Sequence, residues 1–349
     1  VRIGGRVAIS ALLSLNVPAC GSSRSDNSVP SKEAMRVHTE YDFLLANSST
    51  HELYAAHVND GPEQVARARS ALHEDSRVQV RRNAIVALSA ALKDNGVPDY
   101  LSALDDQAPA VIAEAAASLT TYAAETTGRP KNLELIGKLR EHAAALRKVF
   151  TSPDATARYN AACALNLIED PEVDLATVLA DPVAIVRNEG LGIAASRKLG
   201  PAEVKVLDAL AQKDTEPQLR ARAVTIVVLR AAPDLAAPVL AAALARGDVD
   251  RQTADAAGDQ RLVAALPAML AYLRAHPYDL AWLTAVKSFK APCSARALAA
   301  LLANNMTGSE ALAALRALSG KPDWSAEQLA AWAQAQPEDI VPCATPRAP

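Results

Sequence analysis

The sequence predicts an all-α fold, and within that class a superhelical α-solenoid of stacked helix pairs. Three observations point there. The chain of 349 residues is 50% apolar but only 4% aromatic, and it is rich in alanine. That composition suits helices whose backbones pack closely, whereas a sheet draws on β-branched and aromatic side chains. Apolar and small residues recur four apart, the spacing of one helical stripe. One short pattern also returns along the chain, as it does in a repeat array.

The repeated pattern is visible by alignment. DSRVQVRRNAIVAL (Asp75 to Leu88), DQAPAVIAEAAASL (Asp106 to Leu119), DPVAIVRNEGLGIA (Asp181 to Ala194) and DTEPQLRARAVTIV (Asp214 to Val227) share one frame. Each has an Asp, an aliphatic residue five later, a small residue four after that and an apolar one four further on. Arg81, Arg187 and Arg220 follow the aliphatic residue directly. A fifth copy, DATARYNAACAL, keeps Arg158, Ala161 and Leu165 and moves the acid to Asp154. The residues at the aliphatic position, Val80, Val111, Ala157, Val186 and Leu219, lie 31, 46, 29 and 33 apart, the long interval holding an inserted TTGRPKN.

Each feature has a physical reading. The leading Asp is expected to cap the helix that follows, accepting bonds from free amides at the positive helix end. Asp181-Pro182 and Asp170-Pro171 add a proline expected at the first helical position, where it costs no hydrogen bond. Segments such as VPDYLSAL, EVDLATVLA and PAEVKVLDALA supply a second helix between copies. Each unit is then two helices, neither able to bury its apolar face alone.

These residues resemble the bacterial HEAT repeat, including the short type of the phycobilisome lyases. The match covers roughly residues 60 to 335 and weakens after about residue 230, where the Arg and aliphatic positions are lost. The end, LRALSGKPDWSAEQLAAWAQ, resembles the terminal unit of many such arrays, with Gly320, Asp323 and Trp332 in place. Ser325 and Gln328 are expected to form a capping box, and Trp324 and Trp332 to close the open end of the core. The resemblance implies a scaffold and no lyase activity, because the repeat is shared by many non-enzymes.

The ladder residues are Asp75, Arg81, Asp106, Arg158, Asp181, Arg187, Asp214 and Arg220. They are expected to bond between neighbouring units and fix the stacking. The functional alternative is a shallow groove for an acidic peptide. Arg82 and Arg222 lie one or two positions on, face differently and are expected to be exposed charge.

The start of the chain reads as an address. Arg2 and Arg6 precede an apolar run, Val7 to Leu15, too short to span a bilayer. Val17-Pro18-Ala19-Cys20 follows and resembles the lipobox of bacterial lipoproteins, Val17 and Ala19 matching the motif. The resemblance implies a signal peptide over residues 1–19 and lipid on Cys20. The alternatives are an ordinary secretory signal cut after Ala19 and a first helix with an incidental cysteine. Residues 20–34 would form a polar tether, GSSRSDNSVPS having no apolar periodicity. The solenoid would occupy 35–335 and a Pro-rich tail 336–349. A bacterial cell-envelope location follows, with the outer membrane favoured by Gly21 and a secreted or periplasmic protein as the alternative.

Chemistry-bearing patterns point away from catalysis. The net charge is −3 and no basic stripe suits nucleic acid. No HExxH, GxSxG or phosphate-binding Gly-Lys-Ser/Thr loop appears. His51 and His57 are six apart, on different helix faces, which is no zinc pair. Gly190-Leu-Gly192-Ile-Ala-Ala195 imitates a dinucleotide fingerprint but follows VRNE, not an apolar strand. No catalytic residue, metal site or cofactor is therefore expected. Cys163 should behave as a small buried hydrophobe. Cys293 and Cys343 could pair if the chain is exported, or remain two free thiols. The expectation is a monomeric, non-enzymatic protein-interaction scaffold with protein partners, touching membrane only through its lipid. An enzyme or enzyme-complex subunit, or a cytoplasmic adaptor, is the alternative.

Overall fold

The structure, a computed structural model, describes residues 50–125, 130–289, 291 and 294–336. The expected signal segment, Cys20 with its tether, Cys293, Cys343 and the tail beyond residue 336 lie outside the described residues. The fold is all-α. No described residue belongs to a strand, and one isolated bridge pairs Leu199 with Ala231. The chain divides into two compact units between Val178 and Leu179.

The first unit holds α1 (Thr50–His57), α2 (Pro62–Glu74), α3 (Val78–Leu92), α4 (Val97–Ala103), α5 (Pro109–Ala123), α6 (Leu133–Glu141), α7 (Ala143–Lys148) and α8 (Ala155–Leu167). The pattern of α2 shows how the local code works. Pro62 starts the helix and Glu63 sits in its first turn. Val65, Ala68 and Leu72, spaced three and four apart, form its buried stripe. The stripe lies on α3, which buries Val80 and the run from Ala84 to Leu88. α1 packs on α3, α3 on α5 and α5 on α8; α2 covers α3, α4 covers α5 and α7 covers α8.

The short α9 (Leu175–Leu179) lies at the boundary. The second unit follows with α10 (Ala184–Ala195), α11 (Pro201–Lys213), α12 (Pro217–Arg230), α13 (Pro233–Arg246), α14 (Arg251–Asp259), α15 (Leu266–Ala275), α16 (Leu280–Ser288), α17 (Ala295–Ala299), α18 (Gly308–Ser319) and α19 (Ala326–Gln334). Here α10, α12, α14, α16 and α18, the inner helices of this unit as α3, α5 and α8 are of the first, pack in succession. A parallel succession of α11, α13, α15, α17 and α19 runs beside it. The alternation continues past residue 230, where the sequence pattern fades.

Two local devices replace the fading pattern. Gly258 of α14 lets its backbone approach α16 so closely that a Cβ there would sit 3.1 Å from the Ala285 Cα. Ser288 Oγ donates to the Gly258 carbonyl at 3.1 Å and fixes the same contact. At the end, Gly320 takes the left-handed conformation (φ 67°) that stops α18. Ser325 and Gln328 form the capping box that starts α19. The tryptophans differ from expectation. Trp324 and Trp332 are only half-buried, and Leu329 and Ala333 are the side chains α19 buries. The fully buried tryptophan is Trp282 of α16, 1% exposed.

Candidate functional site: the polar rows of the inner helices

The repeated Asp and Arg build one motif several times. In the second unit Asp214 lies in the loop between α11 and α12. Its Oδ1 accepts the Glu216 amide at 2.9 Å, turning the chain toward α12. Arg187 of α10 reaches that carboxylate with two bonds, Nε to Oδ2 at 2.7 Å and Nη2 to Oδ1 at 2.8 Å. The remaining arm, Nη1, donates to the carbonyls of Asp181 and Pro182 at 2.9 and 3.2 Å. One planar guanidinium thus ties the loop before its own helix to the loop before the next inner helix.

The first unit repeats it. Arg81 forks onto Asp106 at 2.7 and 3.0 Å while its third arm holds the Asp75 carbonyl at 3.0 Å. Asp106 accepts the Ala108 amide at 2.7 Å. Arg220 extends the row to Asp248, which Arg246 also meets, and donates to the Asp214 carbonyl. Arg158, 9% exposed, donates to the Ser152 and Pro153 carbonyls. Asp181 accepts the Val183 amide at 2.9 Å. Asp75, the first acid of the series, takes Arg77 on its carboxylate at 2.6 Å.

The acids are not helix caps, which corrects the sequence expectation. Arg77, Ala108, Val183 and Glu216 occupy the N-cap positions, two residues after Asp75, Asp106, Asp181 and Asp214. Each Asp instead closes a turn on the amide two residues on. Only Asp154, in the displaced copy, is a true N-cap, accepting from Thr156 N. Pro182 and Pro171 accordingly sit before their helices rather than inside them, and Pro109 and Pro217 begin α5 and α12.

Electrostatics follow the geometry. Burial pushes the Asp214 carboxyl up, but the Arg187 fork and the Glu216 amide outweigh it and hold the acid below its ordinary range. Burial, Arg81 and the Ala108 amide produce the same net lowering at Asp106. Burial, Arg220 and Arg246 do so at Asp248.

A second row corrects the expectation of free charge at Arg82 and Arg222. Arg82 Nε meets Glu114 Oε2 at 3.1 Å, with side chains 19% and 12% exposed. Burial raises the Glu114 carboxyl above its ordinary value, with Arg82 opposing it. Arg222 donates to the Asn188 side-chain oxygen and backbone carbonyl. Burial lowers its pKa and Glu189 opposes that shift. Both arginines therefore join successive inner helices rather than facing solvent.

Other partners escaped sequence reasoning. Asp248 follows Asp214 by 34 residues, close to the 33 that separate Asp214 from Asp181, so register alone could have found it. Arg147 pairs with Asp170 at 2.9 Å and Glu172 at 2.6 Å, and nothing in the repeat pattern signals that. Cys163 is buried at 3% exposure, as expected of its helix, but it is disulfide-bonded rather than a thiol.

A polar cleft of about 280 Å³ opens beside the first fork, lined among others by His73, Asp75, Arg81, Ser102, Asp105 and Asp106. Its cation is already engaged by Asp106. No group of three or more metal-binding side chains gathers among the described residues. Gly190 and Gly192 lie buried in the interior of α10, in helical backbone, and form no phosphate loop. His57 of α1 bonds Asp60 at 2.8 Å. No described helix is long and apolar enough to cross a membrane. No known family model matches the chain, and no curated protein does.

Proposed function

We propose that this chain is a non-enzymatic protein-interaction scaffold. Its body would be an α-solenoid of HEAT-like helix pairs, held at the bacterial cell envelope, preferably the outer membrane, by lipid on Cys20. The observation that carries this reading is the recurring guanidinium fork. The same Arg and Asp positions tie consecutive inner helices in both units, a device that sets stacking rather than chemistry. Within each unit the principal contacts run between helices one to three places apart in the chain, which supports a repeat array. Such arrays present long helix faces to protein partners, and a lipidated tether would hold them near a membrane at about 0.8 kcal/mol per buried methylene.

Two experiments test it. Cells fed a palmitate analogue should label the wild type and not Cys20→Ala; an unlabelled wild type removes the anchor. Crosslinking in cells, followed by partner identification, should return the same protein repeatedly with the wild type. Recovery of lipid alone would contradict the scaffold.

A further inference from the structure

We draw no further inference here: the strongest candidate, the exposed apolar patch of Tyr278, Leu280 and Met306 where the loops before α16 and α18 are joined by the Thr307–Pro277 hydrogen bond, carries nothing because nothing in the structure shows what covers it.

Discussion

Arg187 and Asp214 meet through two bonds of 2.7 and 2.8 Å across 27 residues of chain, with side chains 11% and 1% exposed. An ion pair this sheltered is costly to break from one side, because the surviving charge stays buried without its partner. Arg187→Ala should therefore destabilise by about 3 kcal/mol. Arg187→Lys should recover little of it, since an ammonium cannot fork onto Asp214 and also reach the Asp181 carbonyl. Urea denaturation monitored by circular dichroism checks both. The more exposed Arg220, at 23%, should cost less when truncated.

Acid should loosen the fold through the same carboxylates. Asp106, Asp214 and Asp248 all titrate below their ordinary values. In the unfolded chain these groups take up protons near pH 4, above the pH at which the folded ones do. Their contribution is thus fully present at neutral pH and fades as pH falls from about 5 through the folded pKa values. Urea midpoints measured from pH 7 down to pH 3.5 should drop, and Asp214→Asn should flatten that slope. An equal slope in the variant would remove Asp214 from the explanation.

The helix pair α3–α4 turns on one glycine. Tyr100 is fully buried, stacks on Tyr122 with ring centroids 6.1 Å apart and donates to the Lys93 carbonyl at 2.9 Å. A Cβ at Gly96 would lie 2.1 Å from the Tyr100 hydroxyl oxygen. Gly96→Ala should cost about 2 kcal/mol through forced displacement of the ring. Tyr100→Phe should cost about 1 kcal/mol for the lost hydrogen bond. Thermal melts of the two variants decide whether the alanine is the worse.

Two further glycines should respond in opposite directions. Gly137 lies inside α6 with nothing within 4 Å of an added Cβ. Gly137→Ala should stabilise by about 0.8 kcal/mol through helix propensity. Gly258→Leu should instead force α14 from α16, and its melting temperature should fall by several degrees. A stabilising Gly258→Leu would refute the close contact as the joint that succeeds the forks.

Much of this fold is legible in the sequence because the code is local and repeated. The four-residue stripes and the terminal capping box read correctly from neighbours in the chain, whereas Pro171 and Pro182, expected at first helical positions, precede their helices. The ladder positions stand out because Asp and Arg recur six apart, the separation over which the third guanidinium arm reaches the carbonyl of its own loop. What the sequence obscures is tertiary. An Asp that closes a turn two residues ahead of a helix looks like one that caps it. Arg82 and Arg222 look solvent-facing on a single helix, and only the neighbouring inner helix, with Glu114 or Asn188, buries them. Trp324 and Trp332 look like plugs because they are large, while Leu329 and Ala333 hold the inward face of α19.

The pairing of Arg187 with Asp214 admits a direct measurement, a double-mutant cycle over Arg187→Ala and Asp214→Ala with stability read by urea denaturation. If guanidinium forks join successive inner helices, the two losses overlap and the coupling exceeds about 1 kcal/mol. Additive losses, with coupling near zero, would contradict the claim that these repeated charges hold the stack together.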